Sequence, residues 1–192
     1  GETFDASSGE HIAVVGVSDA SVEFSQNSQL LLVHDWRGAA KVYRGSDFTN
    51  VAATIPANDT RHELCRLTPD GLRIISAGEN GSIRIWDAES GELIASPVNT
   101  TSEPRTLSLS RDSRFLAVVG RDSQVSVAET AANGRGWSLP TSEDLIEAVA
   151  FDAEANHVMT VGKSGQVAVW DIRGGGIARF TWPCGATVIG AS

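Results

Sequence analysis

Residues 67–87 read LTPDGLRIISAGENGSIRIWD, and this stretch decides the fold. Two runs rich in β-forming side chains, residues 72–77 and 83–86, are joined by Gly78-Glu79-Asn80-Gly81. An Asn-Gly pair between two apolar runs is a strong signal of a tight turn in a β-hairpin. The stretch therefore predicts two antiparallel strands that follow each other through a short turn.

The pattern of this stretch occurs four times along the chain. Three columns of residues keep one spacing, with steps of 43, 42 and 42 residues in each column. The columns are Phe24, Leu67, Leu109 and Phe151 at the end of a first strand; Gly38, Gly81, Ser123 and Gly165 in a turn; and Tyr43, Trp86, Ala128 and Trp170 in a later strand. A repeat of about 40–45 residues with four strands is the period of a propeller blade, and such a unit buries its faces only against neighbouring units.

The repeat predicts an all-β fold, a β-propeller of four-stranded antiparallel blades. The one candidate helix, around residues 142–150, falls on a strand in the phase of the repeat. We expect about four and a half blades of a larger ring: the end of a preceding blade at 1–17, blades at 18–57, 58–99, 100–141 and 142–181, and the start of a further blade at 182–192. Both ends are out of phase with the repeat, which favours part of a longer propeller. Closure by oligomerisation and an unusual open ring are the alternatives.

Several motifs of the repeat resemble those of one family. Residues 83–87 and 167–171 end in Trp-Asp and resemble the strand-ending Trp-Asp of WD-repeat β-propellers. Residues 67–71 resemble the Phe-Ser-Pro-Asp-Gly turn of the same family, and residues 4–12 repeat the connection at 87–94 nearly residue for residue. The resemblance covers essentially the whole chain, and the regular repeats are most similar to those of bacterial multi-domain signalling proteins.

The resemblance also implies a buried hydrogen-bond network in each blade, from a His through a Ser or Thr and an Asp to the Trp. Two blades would fill this network in part, one with Ser76, Asn80 and Trp86 and the other with Thr160, Ser164 and Trp170. The third blade keeps Asp122 but has lost the Trp, and the His column reads Val15, Asn58, Thr100 and Ser142. We therefore expect these blades to depend more on apolar stacking, and some to be less stable, than is usual in the family.

Composition and charge exclude several classes of protein. With 15 Lys and Arg against 24 Asp and Glu, the net charge is −9, which argues against a surface built to hold phosphate backbones. The longest apolar runs have six residues, far from the roughly 20 of a membrane-spanning helix. The two cysteines, Cys65 and Cys184, fit a reducing compartment. We expect neither nucleic acid nor a membrane as a partner, and a cytoplasmic location.

No cluster of residues in the repeat predicts catalysis or a cofactor. The four histidines fall in different blades and strand phases, without metal-ligand spacing: His11, His34, His62 and His157. Residues 162–165, Gly-Lys-Ser-Gly, lack the Gly spacing and the following helix of a phosphate loop. We therefore expect no catalytic residue, no cofactor and no metal ion.

The resemblance implies that partners dock on the face around the central channel, and it implies which repeat positions point there. One position precedes the Asp of the tight turn, and two others lie six and four residues before the leading apolar column. They hold, respectively, Trp36, Glu79, Arg121 and Lys163; Arg61, Glu103 and Leu145; and Glu63, Arg105 and Glu147. These residues vary between blades while their neighbours repeat, as a binding surface would, although drifting loop positions would look the same. Trp36, Arg105 and Arg121 would be the best anchors, since aromatic and Arg side chains dominate interface hot spots.

The leading functional hypothesis is a non-catalytic scaffold or sensing propeller within a larger intracellular protein. It would bind a protein or peptide on the channel face, with the remaining blades supplied by the same chain or by another copy. Two alternatives stay open: a small-ligand-binding or hydrolytic propeller with a polar site in the channel, and a module that self-assembles through open blade edges. An enzyme would bring His, Asp, Glu or Lys from several blades to one point, and the repeat phase shows no such convergence.

Overall fold

A computed structural model of the chain describes residues 2–4, 11–14, 20–35, 39–44, 50–56, 62–141, 145–173 and 177–183. Within these ranges the secondary structure consists of β-strands and turns, without a helix. The predicted all-β class is therefore confirmed, and the segment weighed as a candidate helix overlaps the strand Ile146–Phe151. None of the described residues belongs to a helix that is long and apolar enough to cross a membrane.

The described strands form one two-stranded and four four-stranded antiparallel sheets, in each of which consecutive strands are neighbours. The two-stranded sheet pairs β1 (Glu2–Phe4) with β2 (His11–Val14). The first four-stranded sheet holds β3 (Ala20–Phe24), β4 (Leu30–Asp35), β5 (Ala40–Arg44) and β6 (Asn50–Ile55). The second holds β7 (His62–Leu67), β8 (Arg73–Gly78), β9 (Ile83–Asp87) and β10 (Leu93–Ala95).

The third and fourth sheets repeat this order of strands. The third holds β11 (Pro104–Leu109), β12 (Phe115–Gly120), β13 (Val125–Glu129) and β14 (Gly136–Leu139). The fourth holds β15 (Ile146–Phe151), β16 (His157–Gly162), β17 (Gln166–Asp171) and β18 (Ile177–Pro183). The blade boundaries expected from the sequence stay a prediction.

The chain divides into two compact units, residues 1–78 with 84–94 and residues 79–83 with 95–192. In the first unit, a buried core is shared by the first and second sheets and includes Leu32, Val42, Ile55, Leu67 and Trp86. In the second unit, a buried core is shared by the third and fourth sheets and includes Val119, Val127, Leu139, Val149 and Trp170. Each core thus lies between successive sheets, as expected for repeat units that cannot bury their faces alone.

The turn between the first and second strands has the same structure in each of the four four-stranded sheets. Its first residue accepts, on its side-chain oxygen, a hydrogen bond of 2.9–3.0 Å from the amide five residues later; these residues are Ser25, Thr68, Ser110 and Asp152. Three residues further on, the backbone has a positive φ, at Ser28 (56°), Gly71 (73°), Ser113 (62°) and Ala155 (53°). The backbone of the turn therefore repeats even where the residue type changes.

Two tryptophans of the repeat column donate hydrogen bonds to buried hydroxyl groups. Trp86 Nε1 donates to Ser76 Oγ at 2.8 Å, and Trp170 Nε1 donates to Thr160 Oγ1 at 2.9 Å. These links between the second strand and the Trp of a blade are confirmed. The other two four-stranded sheets lack the indole and the hydroxyl, since the corresponding pairs are Tyr43 with the buried Val33, and Ala128 with the buried Val118.

Candidate docking face

The predicted docking positions of the third and fourth sheets lie at one end of the strands. Glu103 directly precedes β11 and Arg121 directly follows β12, and these strand ends meet through the pairing of Pro104 with Gly120. Leu145 and Lys163 have the same relation to the two inner strands of the fourth sheet. Antiparallel pairing therefore brings each pair of residues to a common edge of its sheet.

A backbone hydrogen bond holds each of these pairs in the same geometry. Arg121 N donates to Glu103 O, and Lys163 N donates to Leu145 O, both at 2.8 Å. The main chain is thus equivalent in the two sheets, while the side chains differ. A constant frame with varying side chains is what the sequence interpretation expects of a surface with blade-specific contacts.

Two ion pairs connect the charged side chains of this face. Arg121 Nη2 lies 2.7 Å from Glu103 Oε1 within the third sheet, and Arg105 Nη2 lies 3.8 Å from Glu147 Oε1 of the fourth sheet. The four side chains are between 33% and 68% exposed, so water screens both pairs and each stabilises the fold by only about 0–1 kcal/mol. A partner could therefore engage these charges at little cost in folding free energy.

A hydrogen-bonded brace lies beside Arg121. Thr101 Oγ1 donates a hydrogen bond to Asp122 Oδ2, and Asp122 N donates to Ser102 Oγ at 3.1 Å. Partial burial raises the pKa of the Asp122 carboxyl, but hydrogen bonds, chiefly with Thr101 and Ser102, outweigh this effect and hold that pKa below its ordinary value. The ionised carboxylate thus anchors the turn that presents Arg121. Sequence reasoning missed Thr101 and Ser102, because no local pattern links them to a turn some twenty residues later.

Thr100 occupies the position at which the resemblance implies a His. Its Oγ1 donates to Ser102 O at 2.7 Å and also lies 3.1 Å from Gly81 O, which accepts a further hydrogen bond from Thr100 N at 2.8 Å. Gly81 has a φ of +80°, and a Cβ at that residue would lie 2.3 Å from Thr100 O. Only glycine fits this turn. The amide and the hydroxyl of Thr100 both hydrogen-bond to the main chain of Gly81, in place of the buried His network that the resemblance implies.

The remaining predicted docking residues have fewer described contacts. Glu79 is exposed in the turn that follows β8. Glu63 lies in β7, but its side chain is outside the described part of the chain, as are Trp36 and Arg61 altogether. The assignment of all these residues to partner binding stays a prediction.

Two findings concern the reactivity of the described residues. No group of three or more His, Cys, Asp or Glu side chains among them is placed to hold a metal ion. Cys65 is fully buried, and this burial, with a further contribution from the charge of Glu23, raises the pKa of its thiol to about 12. A thiol with such a pKa stays protonated near neutral pH and is a poor nucleophile. Cys184 lies outside the described residues.

Four-stranded antiparallel sheets, a recurring turn and cores shared between successive sheets define the class of protein, a β-propeller built of blades. The chain is similar to the solved structure of the computationally designed Ika8 protein, with a TM-score of 0.79 over 95% of this chain and 55% of that chain. At 19% sequence identity, this similarity concerns the fold alone.

Sequence comparison finds a repeat match and similar proteins for this chain. Residues 58–87 match the WD40 family, described as WD domain, G-beta repeat. Similar curated proteins include the U3 small nucleolar RNA-associated protein 18 homolog of Arabidopsis thaliana, 25% identical over 80% of this chain and 29% of that protein. They also include the Target of rapamycin complex subunit wat1 of Schizosaccharomyces pombe, 26% identical over 55% of this chain and 34% of that protein. Residues 58–87 thus carry the match to a WD repeat, in line with the resemblance drawn from the sequence, and the chain spans about a third or less of the length of these relatives.

Proposed function

We propose that the chain is a non-catalytic interaction module that binds a protein or a peptide on the docking face. The observation that carries this proposal is a set of blade-specific side chains on one repeated backbone frame: Glu103, Arg105, Arg121, Leu145, Glu147 and Lys163. Backbone hydrogen bonds and the Asp122 brace hold the frame before a partner arrives, which reduces the entropy lost on binding.

The chemistry of the face fits a partner that carries both charges. Arg121 pairs with Glu103 and Arg105 pairs with Glu147, while Lys163 lies at the corresponding strand end of the fourth sheet. A surface of mixed charge favours one register of a complementary partner and rejects others by placing like charges together.

The relatives support an interaction role for this chain. The wat1 protein is, by its name, a subunit of a complex. We further propose that the chain forms part of a longer propeller in a cytoplasmic protein, with the remaining blades supplied by the same chain or by another copy.

Selection of displayed peptides tests the proposal. Peptides that bind the parent chain are selected from a random library, and their affinities are then measured by fluorescence anisotropy with the Arg105→Ala/Arg121→Ala variant. We expect the affinity to fall by about tenfold or more, because the two arginine anchors of the face are lost.

The matched control is Arg111→Ala. Arg111 is also exposed, but it lies in the turn between β11 and β12, at the opposite end of these strands. Its substitution should leave the affinity unchanged. The proposal fails if the selected peptides bind the double variant as tightly as the parent chain.

A further inference from the structure

A cleft of about 610 Å³ lies at the opposite end of the third and fourth sheets from the docking face. Arg114, which lines it, directly precedes β12, whereas Arg121 of the docking face directly follows that strand. Glu129 and Arg135, on either side of the turn between β13 and β14, and Arg173, after β17, also line the cleft. A strand of this length separates its two ends by roughly 17–20 Å, so the cleft is a second surface.

The cleft is cationic although the chain has a net charge of −9. Three arginines, Arg114, Arg135 and Arg173, line it together with one carboxylate, that of Glu129. Among the described residues none of the three arginines belongs to an ion pair, and Glu129 Oε2 already accepts a hydrogen bond from Arg135 N at 3.1 Å. Because a guanidinium binds a carboxylate through two parallel N–H donors, the cleft is complementary to a ligand with several carboxylates.

An aromatic wall lies next to these arginines. The guanidinium carbon of Arg114 is 5.3 Å from the centre of the Phe115 ring, and that ring meets Trp137 edge to face with centroids 6.4 Å apart. Trp137 Nε1 is buried and has no hydrogen-bond partner among the described residues. The wall therefore offers apolar surface to a ligand, and a ligand packed on the indole would change the surroundings of its unpartnered N–H.

An ion pair occupies the corresponding place between the first and second sheets. Arg44 Nη1 and Glu89 Oε1 lie 3.0 Å apart there. In the phase of the repeat these residues correspond to Glu129 and Arg173, which are not joined by an ion pair in the described structure. The counterparts of Arg114, Arg135 and Trp137 in the first sheet are Gln29, Asn50 and Ala52. The cationic and aromatic lining therefore belongs to the third and fourth sheets and is not a general feature of the repeat.

We propose that this cleft binds an acidic peptide segment, with carboxylates paired to Arg114, Arg135 and Arg173 and an apolar part packed on Trp137. Two or three carboxylates fit within a cleft of this size. A nucleic acid fits less well, because its many phosphates would extend beyond the cleft into the field of a chain with net charge −9. The proposal goes beyond the docking face and does not depend on it.

Titration of the full chain into a labelled short peptide of alternating Glu and Leu tests this proposal. We expect the Glu–Leu peptide to bind and the matching Lys–Leu peptide not to bind. The Arg114→Gln/Arg135→Gln/Arg173→Gln variant should lower the affinity for the acidic peptide by about tenfold or more, since each lost charge-assisted pair weakens binding. Arg111→Gln, which removes an exposed arginine from the same turn as Arg114, should retain the affinity. The Arg105→Ala/Arg121→Ala variant should also retain the affinity for the acidic peptide, which would distinguish binding at this cleft from binding at the docking face.

The indole signals in a ¹H–¹⁵N correlation spectrum supply an independent measurement. The Trp137→Phe variant identifies the signal of Trp137, which should shift when the acidic peptide binds. If the triple variant does not fold, Arg173→Gln alone decides the matter, with an expected loss of about threefold or more in affinity. Parent-like affinity of the triple variant or of Arg173→Gln, an unshifted Trp137 signal at saturation, or tighter binding of a labelled oligodeoxythymidine than of the Glu–Leu peptide would overturn the proposal.

Discussion

At the scale of single residues, the indole hydrogen bonds of the Trp column stabilise the fold. Trp86 and Ser76 are both buried, so either polar group left without its partner costs about 1–3 kcal/mol. We predict that Ser76→Ala and Trp86→Phe each destabilise the chain, and that the double variant loses about 1 kcal/mol less than the sum of the two single losses. Urea-induced unfolding measures all three changes, with the exposed Ser96→Ala as a neutral control. Strictly additive losses would contradict the pairing.

A second residue-scale feature is the partly buried carboxyl of Glu23. Its Oε2 accepts a hydrogen bond from Leu67 N at 3.0 Å. Burial raises the pKa of the Glu23 carboxyl, and the hydrogen bond and the nearby charge of Arg66 oppose this only in part. The carboxyl therefore gives the fold a pH dependence.

The sign of that dependence follows from the raised pKa of Glu23. Its contribution to stability is fully present below the unfolded-state pKa and is lost as the pH rises through the folded-state pKa. We predict that Glu23→Gln, which keeps an acceptor oxygen for Leu67 N, is more stable than the parent chain at about pH 7, and that the gain shrinks toward about pH 4. Thermal unfolding at both pH values measures this, with the exposed Glu92→Gln as control. A lower Tm of Glu23→Gln at about pH 7 would refute the prediction.

At the scale of elements, the turn between the first two strands of each sheet offers a test of backbone strain. Ser28 occupies at φ 56° the position that Gly71 occupies at φ 73°. A non-glycine residue in this region costs about 1–2 kcal/mol, and the greater freedom of glycine in the unfolded chain offsets part of the gain from replacing it. Because Ser28 is exposed, we predict that Ser28→Gly stabilises the chain by about 0.5–1 kcal/mol in urea-induced unfolding.

The converse substitution in the second sheet is the control for this turn. Gly71→Ala should destabilise the chain by about 1 kcal/mol or more, since a Cβ there needs the left-handed conformation and approaches Ser25 Cβ to 3.3 Å. Equal stability of Ser28→Gly and the parent chain would show that the turn stores no such strain.

At the scale of the whole molecule, the net charge of −9 sets the long-range field. We predict that a labelled single-stranded oligonucleotide binds the chain with a Kd weaker than about 10⁻⁴ M at physiological salt, because the arginines of the cleft are few and the rest of the chain repels phosphates. Fluorescence anisotropy measures this, with the Glu–Leu peptide as the positive control. Micromolar binding of the oligonucleotide would contradict the prediction.

The blade, its strands and its turns could be predicted because their signals are local and periodic. Apolar alternation indicates strands, a side-chain oxygen and an amide five residues apart build the recurring turn, and the Trp column marks the strand that follows. The side-chain partners of Asp122 and of Arg105 could not be predicted from such local signals. Thr101 and Glu147 lie 21 and 42 residues away along the chain, and side-chain conformations determine whether they meet.

The sequence by itself therefore determined the all-β class and the repeat, since hydrogen bonds between near neighbours form the strands and turns of which each repeat is built. Only the tertiary structure decided where the side chains of separate turns converge. Arg44 and Glu89 form an ion pair, whereas their repeat counterparts Glu129 and Arg173 line an open cleft. The packing of one sheet on the next sets the distance between the side chains of these two repeat positions. A difference of a few ångströms decides whether the side chains form an ion pair or line a cleft with room for a ligand.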